Sequence, residues 1–118
     1  DMVTDQSERQ LAGELIREKT LRFLSQEVPH GVAVEIEQMK MDGELCRMNA
    51  VIYTEKASHK MIIIGKGGAM IKKIGTAARR DLERMLDCRV HLELWVKVKE
   101  DWRNNDYLIR NFGYEQES

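Results

Sequence analysis

Ile62-Ile63-Ile64-Gly65-Lys66-Gly67-Gly68-Ala69-Met70-Ile71-Lys72-Lys73-Ile74-Gly75 is the stretch on which the reading of this chain turns. Three isoleucines run into a glycine-lysine-glycine-glycine cluster, and an apolar-basic pattern follows. Glycine has no Cβ, so its backbone reaches positive φ and lets another polymer come close. A lysine among such glycines marks a place where backbone amides and a cation can meet phosphate. Two nucleotide-binding loops fail on their own terms. A triphosphate P-loop needs G-x-x-x-x-G-K followed by Ser or Thr, whose hydroxyl holds magnesium. Here Gly67 follows Gly65-Lys66, and Lys60 stands where the first glycine is needed. A dinucleotide fingerprint, G-x-G-x-x-G, needs glycine where Met70 stands. What remains is G-x-x-G over Gly65, Lys66, Gly67 and Gly68.

Outward from the cluster the pattern is helical on both sides. Ser58 can cap a short helix to about Ile63, which residues 65–68 break. A longer helix is expected from Gly68 to about Leu86. Its apolar positions are Ile71, Ile74, Gly75, Ala78, Leu82, Met85 and Leu86, the stripe of an amphipathic helix. Gly75 costs helix stability, and its small size allows close packing. Val90, Leu92, Leu94, Val96 and Val98 then alternate with His91, Glu93, Trp95 and Lys97, the clearest strand in the chain.

Upstream, Ser7-Glu8-Arg9-Gln10 fits a capping box. Leu11, Leu15, Ile16, Phe23 and Leu24 follow at helical spacing. A helix is expected over about 7–26, ended before Pro29, with Arg9, Glu14, Arg17, Glu18 and Arg22 on its exposed side. Val32, Val34 and Ile36 alternate as a half-buried strand. Asp42-Gly43 signals a hairpin, and Cys46, Met48, Ala50 and Ile52 form the inward set of a second strand, antiparallel to the first. A short helix around 105–110 closes the chain, with Trp102, Tyr107, Leu108 and Phe112 as packing residues. The order is α-β-β-α-α-β plus a tail: an α+β domain, a three-stranded sheet packed on helices. Residues 1–6 read as a lead-in from a missing N-terminal domain, 7–100 as the domain, and 101–118 as the tail.

The net charge of −1 hides an asymmetry. Residues 56–80 hold Lys56, Lys60, Lys66, Lys72, Lys73, Arg79 and Arg80 and no acid, while residues 1–55 and 81–118 carry net charges of −5 and −3. A nearly neutral chain has gathered its positive charge around the glycine cluster, where the field attracts a polyanion. Read on charge alone, the window is a solvated basic helix face. The 118 residues suit one small domain. No apolar run approaches the roughly 20 residues that cross a membrane, and no signal peptide is visible. Cys46 and Cys88 are too few for a disulfide framework and read as reduced thiols.

The αββααβ order with I-G-K-G-G-x-x-I-K-x-I-G resembles a type II KH domain, and more narrowly the C-terminal domain of the Era-like family of bacterial GTPases. The matching pieces are Glu14-Leu15-Ile16-Arg17-Glu18-Lys19, Glu27-Val28-Pro29-His30, the glycine cluster, Val90-His91-Leu92-Glu93-Leu94-Trp95-Val96-Lys97-Val98 with Trp102-Arg103, and Asn111-Phe112-Gly113-Tyr114. The resemblance covers nearly the whole chain. It implies an RNA-binding domain that takes the 3′ end of 16S ribosomal RNA during small-subunit maturation, in a cytoplasmic and partly membrane-associated family. GTP and magnesium would belong to the missing GTPase domain, so no cofactor and no catalysis are expected of this chain.

In KH domains a G-x-x-G loop clamps the backbone of about four single-stranded nucleotides. On that pattern Gly65, Lys66, Gly67 and Gly68 hold the backbone, and the N–H groups of the following helix face a phosphate. Ile63, Ile64, Met70 and Ile71 floor a groove for bases. Lys60, Lys72, Lys73 and Arg79 add longer-range attraction. The chain is expected to act as a monomer, in the cytoplasm or peripherally at the inner face of the cell membrane. The structural alternative for the cluster is a plain glycine-rich turn. The functional alternatives are a docking module whose basic window meets an acidic protein or anionic lipid, and a small phosphate-handling enzyme. His30, His59 and His91 lack metal-like spacing, and no nucleophile completes a site around Glu35, Glu37 and Glu93. Trp95 reads as the cover of the sheet's back, packed on the tail helix, and Met48 and Met85 as gap-filling core residues.

Overall fold

The structure, a computed structural model, describes residues 2–24 and 32–99, with side chains from Ser7 onward. Its elements are α1 (Met2–Leu24), β1 (Ala33–Asp42), β2 (Leu45–Thr54), α2 (Ala57–Ile64), a 3₁₀ turn (Lys66–Gly68), α3 (Ala69–Leu86) and β3 (Arg89–Val98). This is the expected α-β-β-α-α-β order. The expected tail helix lies outside the described residues. The sheet order is β1-β2-β3, with β1 and β2 antiparallel and β2 and β3 parallel. A parallel pair needs a long crossover, and α2 with α3 supplies it.

The core lies between sheet and helices. Cys46, Met48, Ala50 and Ile52 of β2 meet Ile16 and Leu24 of α1, Ile63 of α2, and Ile74, Ala78 and Leu82 of α3. The central strand thus contributes the alternate residues read from sequence. The hairpin falls one residue later than Asp42-Gly43: Asp42 pairs with Leu45, and Gly43 supplies a φ of 65° as the first of the two turn residues.

A bulge in β1 was not read from sequence. Ile36 pairs with Ala50 but Gln38 pairs with Asn49, leaving Glu37 as the extra residue. An added residue reverses the side-chain phase of everything beyond it. Met39 and Met41 therefore stand opposite Met48 and Cys46 on the core face. Without the bulge, Gln38 and Lys40 would occupy it.

Three expectations for α1 are corrected. The helix starts at Met2, not at Ser7, because nothing in Met2-Val3-Thr4-Asp5-Gln6 breaks a helix and a capping box cannot stop one by itself. Its buried face is Ala12, Gly13, Ile16, Thr20 and Leu24, while Leu11 is 55% exposed. Met85, expected in the core, is 37% exposed, beside Leu11 and Leu15. Arg9 and Arg17 are not idle surface charges. Arg9 Nη1 donates to Ile36 O at 2.9 Å and Arg17 Nε to Val32 O at 2.8 Å. Between them Gly13 lies so close to β1 that a Cβ there would stand 3.6 Å from Val34 O. Four helical residues rise about 6 Å and two strand residues about 6.8 Å, so residues 9, 13 and 17 match alternate carbonyls of the edge strand. Lys19 Nζ meets Asp81 Oδ2 at 2.5 Å and ties α1 to α3.

The start of α2 also differs. The helix begins at Ala57 with extended Lys56 as its N-cap residue, so Ser58 lies inside it and caps nothing. On the outer sheet face Trp95 stands 55% exposed, and the tail that was to cover it is outside the described residues. Tyr53, 8% exposed, donates its hydroxyl to Glu35 Oε1 at 3.3 Å. Burial first, and then the Glu35 carboxylate, push its phenol from 10.0 up to about 12.

Arg17→Met should lower the unfolding free energy by about 1.5–3 kcal/mol, the worth of a charge-assisted hydrogen bond. Arg22→Met on the exposed side should change it by less than about 0.5 kcal/mol. Urea titration measures both. Because the Tyr53 pKa is raised on folding, its contribution is complete below pH 10.0 and fades as pH rises toward about 12. Melting temperature followed across that window should fall more steeply for the natural chain than for Tyr53→Phe.

Candidate nucleic-acid interface

Helix α2 ends where Gly65 takes φ 78° and ψ 173°, a conformation that is essentially restricted to glycine. The Gly65 N–H donates to Met61 O at 2.9 Å, closing α2, and its carbonyl accepts Gly68 N–H at 3.1 Å, closing the turn. Gly67 (φ 63°) and Gly68 (φ 79°) continue in left-handed conformations. Lys66 stands exposed in this turn. The three glycines serve different ends. A Cβ on Gly65 would lie 2.6 Å from Met70 Cβ and 2.8 Å from Met70 N, whereas one on Gly67 or Gly68 would meet nothing within 4 Å. Gly65 is held by packing. Gly67 and Gly68 leave open ground for an incoming chain. Gly68 gives no side-chain cap to α3, and the Ala69 N–H is taken by Lys66 O within the turn, so what α3 turns toward the glycines is the positive end of its dipole.

One helical turn beyond Gly68, a groove of about 280 Å³ lies between α3 and β3, lined by Ile71, Lys72, Gly75, Thr76 and Arg79 on the helix and by Leu92 and Leu94 on the strand. The helix positions recur every four residues and form one face. Because β3 is an edge strand, Leu92 and Leu94 are only half covered and leave apolar surface to the groove. Gly75 keeps it open: a Cβ there would touch Leu94 Cδ1 at 3.5 Å. At the far end Arg79 Nη1 donates to Glu83 Oε1 at 3.2 Å, and Val90 N–H donates to Glu83 Oε2 at 3.0 Å. The Val90 amide first, and then Arg79, hold the Glu83 carboxyl below its ordinary range.

The structure gathers Gly65, Lys66, Gly67 and Gly68 in the turn, and Ile71, Lys72 and Arg79 in the groove. Ile64 and Met70 are half-buried against the core beside the turn. Ile63 is corrected: it is fully buried, because the face of α2 that carries it packs on the core, and it has no surface to offer a base. Lys73 leans away, its Nζ 5.0 Å from the centre of the Phe23 ring on α1. Lys60 lies half-buried on α2 and does not line the groove. Gly75, Thr76, Leu92 and Leu94 were missed as lining residues. Their alternation was visible, but only the strand order leaves the inner face of β3 half open. A larger groove, about 720 Å³, lies between α1 and Met85 and shares no residue with the α3–β3 groove. Among the described residues no group of three or more His, Cys, Asp or Glu could hold a metal ion, and no helix is long and apolar enough to cross a membrane.

Gly65→Ala should cost about 2–4 kcal/mol, since it adds strain at a glycine-only conformation to a backbone clash. Gly75→Ala should raise stability by up to about 1 kcal/mol through helix propensity. Thermal unfolding of the two variants distinguishes these opposite signs.

The model of the KH domain family matches residues 27–103. The chain is 56% identical over 114 residues to the GTPase Era of Clostridium acetobutylicum, covering 97% of this chain and 38% of that protein. It superposes with a TM-score of 0.86 and 40% identity on a crystal structure of an Aquifex aeolicus Era variant bound to GDP and AlF4−, covering 92% of this chain and 37% of that one. The same TM-score, identity and coverage hold for Era in complex with MgGDPNP and nucleotides 1506–1542 of 16S ribosomal RNA. The chain therefore spans about two fifths of the length of the Era proteins it matches.

Proposed function

This chain belongs to the KH domain family, and from that premise we propose that it binds single-stranded RNA, namely the 3′ end of 16S ribosomal RNA on the small ribosomal subunit in the cytoplasm. The observation that carries the reading is the junction of the glycine turn with the α3–β3 groove. Open ground at Gly67 and Gly68, the positive end of α3 and the Lys66 ammonium lie about one helical turn before Ile71, where a groove of mixed polar and apolar lining begins. A sugar-phosphate backbone lies over the turn and its bases rest on Ile71, Leu92 and Leu94. Such a site performs binding and no bond-breaking step. Support comes from the RNA held by the similar Era structure.

The turn does not fit a nucleoside triphosphate. It joins two helices, so no strand aims it, and Gly67 stands where a P-loop has its magnesium-binding hydroxyl. The nucleotide of the matched proteins is therefore assigned to the part of them that this chain does not span, and equilibrium dialysis with GTP should show no binding here.

Gly67→Asp with Gly68→Asp should cost about 1–2 kcal/mol at each left-handed position yet leave the domain folded, because a Cβ at either meets nothing within 4 Å, and should reduce RNA affinity at least tenfold by setting carboxylates against phosphate. Fluorescence anisotropy with a 3′-terminal 16S sequence and a scrambled RNA of equal length tests the reading. The natural sequence should bind more tightly, with a log–log salt slope of about −2 to −3 for three or four phosphate contacts. Equal binding of both RNAs, together with binding to anionic vesicles, would favour the docking alternative.

A further inference from the structure

Given RNA in the groove, as proposed, we infer that Arg79 determines base specificity at the groove's far end by reading a guanine edge, and that Glu83 positions it. Arg79 lines the groove ten residues into α3, about 15 Å along the helix from its start. The glycine turn holds the backbone at one end of that span, so Arg79 meets the strand at the other.

Its setting differs from that of the lysines. Glu83 grips one nitrogen of the guanidinium and is itself anchored to β3 by the Val90 N–H. The plane of the guanidinium is thereby referenced to both walls of the groove. The same carboxylate offsets much of its charge, which weakens a purely Coulombic hold on phosphate. A fixed, partly neutralised fork is poorly suited to general attraction and well suited to geometry. The Arg79 side chain is 41% exposed, and guanidinium carries five N–H donors in one plane. Guanine presents O6 and N7 as a matching pair of acceptors, and single-stranded RNA leaves that edge accessible. The remaining groove wall is apolar apart from Lys72 and the Thr76 hydroxyl. Arg79 is thus the group there with the geometry for bidentate recognition.

The experiment is anisotropy on the whole chain with short RNAs that differ at one position at a time. At one position guanine should bind roughly tenfold more tightly than other bases, and 7-deazaguanine, which lacks the N7 acceptor, should lose that advantage. Arg79→Lys keeps a charge and removes the fork. It should abolish the guanine preference with the salt slope unchanged. Glu83→Gln should weaken the preference and, by freeing the Arg79 charge, tighten binding of guanine-free RNA modestly, and circular dichroism should show the same fold. A guanine preference that survives Arg79→Lys would overturn the assignment. So would an Arg79→Met variant that loses affinity equally for all sequences with a slope shallower by about 0.7, the signature of a phosphate contact. Failure of the natural chain to bind any RNA would remove the RNA reading itself, and this inference with it.

Discussion

The close approach of Gly65 to Met70 governs the geometry of the site. With a Cβ barred by Met70 and a backbone conformation essentially reserved for glycine, α2 must stop at Ile64 and α3 must start within a single tight turn. That fixes the direction in which α3 leaves. The direction of α3 decides which of its faces meets the core, through Ile74, Ala78 and Leu82, and which meets β3, through Ile71, Gly75 and Arg79. The groove is therefore a product of helix direction and strand order, and no single residue builds it.

The opposite side of the domain solves a different problem. β1 is an edge strand, and an exposed edge invites pairing with another chain. α1 lies along it, with Arg9 and Arg17 donating to its carbonyls and Gly13 packed between them. The bulge at Glu37 belongs to the same solution. It ends one run of inward residues at Ile36 and starts another at Met39, so the strand packs a further side chain on the core beyond the bulge. The third strand has no helix along its outer edge among the described residues, and it is there that the groove forms.

Most of the architecture was legible because it rests on local chemistry. Alternation fixed β2 and β3, the 3-4 spacing fixed α3, and glycines marked the turn. The misread roles of Arg9, Arg17, Leu11 and Met85 share one cause, since each depends on a distant partner. Arg9 and Arg17 look like surface charges until β1 is placed beside them. Leu11 and Met85 look like core until the helices are packed, when Ala12, Gly13 and Ile16 take the inner face of α1, and Ile74, Ala78 and Leu82 that of α3. Ile63 sits in an apolar run with no polar neighbour to set its phase, so sequence could not say whether it or Ile64 turned inward. Leu92 and Leu94 were correctly read as inward, yet inward at an edge strand means half open.

The basic window shows why composition and geometry must be read together. Seven cations within 25 residues raise the local potential, and at physiological salt that field reaches about 8 Å, enough to gather a polyanion but too diffuse to orient it. Orientation comes from how those charges are held. Lys66 sits at the turn and Lys72 on the groove wall, Lys73 rests on an aromatic ring, and Arg79 is clasped by a carboxylate. One stretch of sequence therefore supplies attraction through its sum and selectivity through its differences, and the second property becomes visible only when α3 is laid against β3.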